Sequence, residues 1–287
     1  MVWGENRFMN FAIFIISHER ANRVETYDTL KQGGYTGQIF VVIDDEDSML
    51  RTYLDRFGDD VLIFDKQVYT KEVDTITNDK RLSSAVYARN AVEDFAKLFE
   101  LDAFVTMDDD VTNLRYRYLE DDTAKSQRLT KNLDIVFNEY TDYLIKGNIA
   151  TLSFANVMIY AGGVKSEDDK IRLGSHRYTT CIHIRNTKLP VNWISLTNED
   201  SISGGVTAQR GYIWWTLPPI VYDTSQLGVL PGGMKSIYDK FPPFSRAFLS
   251  TVALPAVNRV GCTKDRFNIH RNLKSAYPMI ISSRYKK

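Results

Sequence analysis

The sequence predicts an α/β fold: a mostly parallel sheet flanked by helices, with an elaborated C-terminal half. Three observations predict it. Four apolar runs before residue 110 have strand length and no polar alternation, the pattern of strands buried on both faces. Helical-period segments separate them, and that alternation argues for parallel strands joined by crossover helices. Acidic residues follow the second and fourth runs directly, where an open parallel sheet gathers its ligands.

The first run, FAIFIIS (11–17), precedes ERANRVETYDTLKQGG, in which Ala21, Val24, Tyr27 and Leu30 keep helical spacing and Gly33–Gly34 end it. QIFVVIDDED (38–47) is the second strand, ending in acids. DSMLRTYLDRFG reads as a short helix closed by Gly58, and VLIFD (61–65) as the third strand. RLSSAVYARNAVEDFAKLFE carries Ala85, Ala88, Val92, Phe95 and Phe99 on one stripe, with Ser83 as the expected N-cap. AFVTMDDD is the fourth strand.

Beyond it the pattern loosens. LEDDTAKSQRLT (119–130) reads as a polar connector, KNLDIVFNEYTDYLIKG as an amphipathic helix ended by Gly147, and IATLSFAN (149–156) as a strand. The loop YAGGVKSEDDKIRLGSHR and the strand TTCIHIRN (179–186) follow. NEDSISGGVTAQRG reads as a short helix, and YIWWTLPPIVYD as a strand cut by Pro218 and Pro219. No repeat or linker divides the 287 residues, so a single domain is expected.

Composition excludes several classes. The formal net charge is zero, so no global field draws the chain to nucleic acid or membrane. Basic residues do gather late: Arg259, Lys264, Arg266, Arg271, Lys274, Arg284, Lys286 and Lys287 face Asp265 as the only acid after Asn258. Cys181 and Cys262 lie far apart with no metal-type spacing, which suits a reducing compartment. MVWGENRF lacks the basic and apolar regions of a signal peptide, and GYIWWTLPPIVY is too short to span a bilayer. A soluble, cytoplasmic protein without membrane partners is expected.

The acids carry the functional argument. Asp108 and Asp110, at i and i+2 after a buried strand, project to one side and can share a divalent ion, whereas Asp109 alternates away toward a sugar or Arg89. Mg²⁺ or Mn²⁺ commonly takes one or two carboxylates plus substrate phosphates. The competing reading is an acidic turn, but the second acidic strand end, Asp44–Asp45, favours a metal site. Asp44 and Asp45 either accept hydrogen bonds from a nucleoside or cap the next helix. Arg89, flanking its helix's apolar stripe beside Asn90, either snorkels or pairs with an anion. Glu199 and Asp200 form an acid pair before a small-residue helix; Asp200 is an N-cap or a general base. His270 in RFNIHRN is a ligand candidate or a surface histidine, and His18 a candidate donor contact. Trp193, Trp214 and Trp215 offer a stacking platform or core.

Taken in order, FAIFIIS, VVIDDED, the helix carrying ARN, MDDD and a later ED resemble the GT-A class of glycosyltransferases over residues 10–215. Within that class, ISHERANRVETYDTL, VVIDDED, FDK, YARNA and MDDD resemble the TET-associated glycosyltransferases of bacteriophages, thought to put sugars on hydroxymethylated bases in DNA. The resemblance implies a Rossmann-like nucleotide-sugar half to about residue 115, and an acceptor half with a basic C-terminus from about residue 116. It implies a UDP-sugar donor and Mn²⁺ or Mg²⁺. Asp108, Asp110 and, by a looser analogy, His270 would hold the metal. Ser17, His18, Arg20, Asp44, Asp45, Arg89, Asn90 and Asp109 would line the donor. Asp200 would be the base, with Glu199 beside it in the catalytic pair. DNA bearing a modified base such as 5-hydroxymethylcytosine would be the acceptor, with another acceptor class or a non-catalytic DNA-binding module as alternatives. A nucleotidylyltransferase would carry a Gly-rich loop after strand one, and ISHERANR has no glycine.

Overall fold

The computed structural model describes residues 10–71, 73, 82–121, 123–157, 181–225, 234–263 and 266–272. The start of the chain, the loop 160–177, and Lys264, Lys274, Arg284, Lys286 and Lys287 lie outside the described residues.

The first half folds as the apolar runs predict. β1 (Phe11–Ile16) leads through a 3₁₀ turn (Ala21–Arg23) into α1 (Glu25–Gln32), then β2 (Ile39–Asp44), α2 (Leu50–Phe57) and β3 (Val61–Phe64). Gly58 ends α2 with φ 58°, a conformation that glycine enters without a Cβ clash. A single-turn α3 (Lys66–Tyr69) and the long α4 (Ala85–Leu98) precede β4 (Ala103–Asp108). Ser84, not Ser83, caps α4, accepting from the Val86 amide. Strands β3, β2, β1 and β4 lie parallel in that order. Their residues alternate between two cores. Ile13, Ile15, Val41, Ile43, Val105 and Met107 join one; Ala12, Phe14, Val42 and Phe104 join the α4 side.

The second half departs from expectation. Residues 119–130 are not a connector: β5 (Val111–Glu120) and β6 (Thr123–Arg128) form an antiparallel hairpin. α5 (Leu133–Lys146), β7 (Thr151–Asn156), β8 (Ile182–Asn186), α6 (Glu199–Gln209) and β9 (Trp214–Thr224) follow. The sheet runs β3-β2-β1-β4-β8-β7-β9-β5-β6. Its parallel core thus continues into a mixed extension, since β8 is antiparallel to both β4 and β7. β9 continues through its prolines; the register against β7 slips there, from Phe154–Leu217 to Ala155–Val221. A buried pair, Arg185 on Glu93 at 2.8 and 3.1 Å, fastens β8 to α4.

α7 (Lys235–Lys240) and α8 (Pro243–Ala253) lead to a separate ribbon, β10 (Asn258–Thr263) with β11 (Arg266–Arg271). Among the described residues, no helix is long and apolar enough to cross a membrane.

Candidate active site

Pairing Ile16 with Asp108 brings the carboxyl ends of β1 and β4 together. Thr26, in the first turn of α1, fixes the aspartate turn that follows. Its hydroxyl donates to the Asp108 carbonyl at 2.6 Å and accepts from the Val111 amide at 2.9 Å. Its own amide donates to the Asp109 carbonyl.

The turn separates the three carboxylates. Asp109 points inward, accepting from Ser17 Oγ at 2.6 Å and Arg20 Nη1 at 2.9 Å. Tyr53 bonds Ser17 and accepts from the Arg20 amide, so these contacts form one chain. Burial raises the Asp109 pKa against the pull of Arg20 and Ser17. Its partner is therefore Arg20 rather than Arg89.

Asp108 and Asp110 instead converge with Cys181, one ligand atom from each lying within 4.8 Å of the others. Asp110 Oδ1 is buried without a hydrogen-bond partner among the described residues. Burial, then the charges of Asp108 and Asp109, push the Asp110 pKa up to about 7. An orphaned carboxylate oxygen beside a second carboxylate fits a dication, whose charge would offset both burial and repulsion. Cys181 sits at the mouth of β8, its carbonyl accepting from the Asp108 amide at 3.0 Å.

Arg89 is fully buried behind this group, 2% exposed. Its Nη2 donates to Asp108 Oδ1 at 3.1 Å, its Nη1 to His183 Nδ1 at 2.8 Å, and its Nε lies 3.7 Å from Glu199 Oε1. The guanidinium also rests over the Trp193 ring. Burial works against its charge, but Asp108, Glu199 and Asp200 outweigh that and raise its pKa. His183 is held neutral, its pKa pushed well down by burial and by Arg89 and Arg185. Trp193 and Trp214 pack edge-on around it. They are 1% and 0% exposed, so these two tryptophans are core and not a stacking platform.

Glu199 and Asp200 open α6, where the helix dipole favours acids. Asn198 adopts a left-handed φ of 54° before them. Gly205 lets α6 approach Leu254, since a Cβ there would lie 2.4 Å from its Cδ1. Asp200 Oδ1 accepts from the Ser201 amide at 2.6 Å, whereas Glu199 faces Arg89. Burial and Asp200 push the Glu199 pKa up to about 7, with Arg89 opposing.

A second cluster lies across β1. His18 Nδ1 is 2.9 Å from Asp44 Oδ2 and 3.5 Å from Asp47 Oδ2. Burial lowers the His18 pKa, but both acids outweigh it and raise it to about 9. Asp45 is exposed and accepts from the Lys66 amide at 3.0 Å. Asn90 donates to the Trp193 carbonyl at 2.8 Å, tying α4 to the segment before α6. His270 stands exposed on the ribbon, opposite Arg259, and is not among the ligand atoms that converge with Asp108 and Asp110. Cys181, His183, Asp47 and Tyr53 are the site residues that sequence reasoning missed.

Solved structures share this architecture. One is the Staphylococcus aureus TarS fragment 1–349 in complex with UDP-GlcNAc: 12% identity, TM-score 0.51, covering 85% of this chain and 66% of that one. Another is glucosyl-3-phosphoglycerate synthase from Mycobacterium tuberculosis with Mg²⁺ and UDP: 10% identity, TM-score 0.49, covering 92% and 87%. A third is the Pyrobaculum calidifontis mannosyltransferase with GDP-Man and Mn²⁺: 12% identity, TM-score 0.46, covering 78% and 59%. No curated protein sequence matches. A family profile described as TET-Associated Glycosyltransferase matches residues 11–203, about two thirds of the chain, including Asp108, Asp110, Cys181, Arg89, Glu199 and Asp200. The chain belongs to the TET-associated glycosyltransferase family, as a glycosyltransferase of GT-A fold.

Proposed function

We propose that this glycosyltransferase moves a sugar from a nucleotide-sugar, a UDP-sugar, to the hydroxyl of a hydroxymethylated base in DNA, using Mn²⁺ or Mg²⁺. The observation that carries the donor half is the buried, partnerless Asp110 Oδ1 beside Asp108 at the carboxyl end of β4. Both aspartates would hold the ion. When bound, it supplies positive charge against the departing nucleoside diphosphate. UDP-GlcNAc in TarS favours a uridine donor. The donor half is residues 10–115, with Ser17, His18, Arg20, Asp44 and Asp45 on its nucleoside side.

The acceptor half supplies the base. Glu199 is the better poised of the acid pair, because a general base works best with a pKa near the operating pH and its own lies at about 7. It takes the proton of the attacking hydroxyl as the new carbon–oxygen bond forms and the bond to the diphosphate breaks. Arg89 keeps Glu199 and Asp108 in fixed relation. DNA as acceptor is favoured by the family and by the basic C-terminus. Arg259 and His270 stand exposed on the β10–β11 ribbon, and a major groove admits such a ribbon.

The test incubates the full chain with labelled UDP-sugars and Mn²⁺, offering hydroxymethylated DNA, plain DNA, protein and glycan pools. Label should appear on hydroxymethylated DNA alone. Transfer to another acceptor class instead would overturn the DNA reading, and no turnover of any nucleotide-sugar would overturn the donor reading.

A further inference from the structure

We infer that Cys181 is a third ligand of the ion proposed for Asp108 and Asp110, which makes this a mixed carboxylate–thiolate centre. The inference rests on the donor reading above and concerns which metals the site prefers.

Three observations carry it. One ligand atom each from Asp108, Asp110 and Cys181 lies within 4.8 Å of the others, a spacing that a single ion can bridge. The backbone holds the cysteine in place from two sides: its carbonyl accepts from the Asp108 amide at 3.0 Å, and its amide donates to the Tyr222 hydroxyl at 2.8 Å. Asp110 Oδ1, buried and partnerless, belongs to the same group.

The chemistry is a proton exchange. A cysteine thiol ordinarily carries its proton at neutral pH. A bound dication inverts the local field and takes the sulfur as thiolate. One proton leaves to solvent for each ion bound, and no redox partner is needed. A sulfur donor shifts preference from Mg²⁺, which suits oxygen ligands, toward Mn²⁺, Co²⁺, Zn²⁺ and Cd²⁺.

The test titrates Co²⁺ into the full chain carrying Cys262→Ser, which removes the exposed second thiol. A strong near-ultraviolet sulfur-to-cobalt charge-transfer band should saturate at one ion per chain. The band should vanish in Cys262→Ser/Cys181→Ser, and that protein should still bind Mg²⁺. Metal should also slow alkylation of Cys181 in the unaltered chain, a readout that needs no variant. One ion bound without the band, and without protection of the thiol, would overturn the thiolate ligand and leave the aspartate pair standing. No binding of Co²⁺ or Mn²⁺ at all would overturn both.

Discussion

Two clusters flank β1 at the carboxyl edge of the same sheet, and each brings two carboxylates together. At the end of β2, Asp44 and Asp47 close on His18, whose pKa they lift to about 9, so the fold supplies its own counter-charge. At the end of β4, Asp108 and Asp110 close on a neutral thiol, and Asp110 is pushed up to about 7. Arg89 meets Asp108 Oδ1 at 3.1 Å, and shares itself with Glu199 and His183. Both clusters have metal-ligand spacing; in the second, Arg89 pairs with Asp108, while Asp110 Oδ1 has no hydrogen-bond partner among the described residues. Proximity of acids therefore does not define a cation site. A buried acid oxygen left without a partner makes the stronger candidate.

The sharpest way to break this comparison is Asp110→Asn. Loss of the ion's charge at the leaving group should lower kcat/KM by about 10³-fold, several kcal/mol of transition-state stabilisation. The same change should stabilise the metal-free protein. A carboxyl whose folded pKa lies above its unfolded one contributes fully below the unfolded value, and that stability is lost as pH rises through about 7. The asparagine variant escapes the loss. In chelator at pH 8 it should be more stable by on the order of 3 kcal/mol, with the difference gone near pH 4. Urea unfolding at both pH values reads it; equal stabilities at pH 8 would show that Asp110 is compensated after all.

Next in size is Arg89→Met. It leaves Asp108 and Glu199 facing each other with their buried counter-charge removed, and breaking a buried pair in this way costs about 3–5 kcal/mol. The urea midpoint should fall at unchanged slope. A variant as stable as the parent would mean that solvent already screens both acids.

The same contrast separates what the sequence reveals from what it hides. The strand-end acids were legible because the signal is local: an apolar run, then Asp108 and Asp110 at i and i+2. The parallel core was legible for the same reason. Cys181 and His183 were not, since their importance comes from β8 inserting antiparallel beside β4, with Thr106 opposite His183. An isolated cysteine has no spacing to betray it, and the strand read from the sequence, 179–186, runs through Cys181, whereas the structure starts β8 at Ile182. TAKSQR in β6 hid because an exposed edge strand needs no apolar alternation, and its structure comes from pairing with β5. Asp109 was legible as a residue that alternates away, but its partner Arg20 depends on the 3₁₀ turn after β1.

His18→Gln gives the smallest effect and the finest test, because it addresses the compensated cluster by its pH window. Burial works against ionisation of Asp47, yet His18 and the Glu19 and Met49 amides together hold its pKa below the usual carboxylate range. The imidazolium thus joins the loop after β1 to the loop after β2. A histidine with a raised folded pKa contributes its full stability below the unfolded value of 6.5, and loses it as pH rises through about 9. The parent should therefore exceed the glutamine variant by roughly 2 kcal/mol at pH 6.5, and the gap should close by pH 10. This window lies above that of Asp110, whose effect is complete near pH 8, so the two clusters can be told apart in one pair of pH titrations of stability. If the His18 imidazole, followed by NMR, titrates near 6.5, the cluster carries no internal cation and the distinction between the two sites collapses.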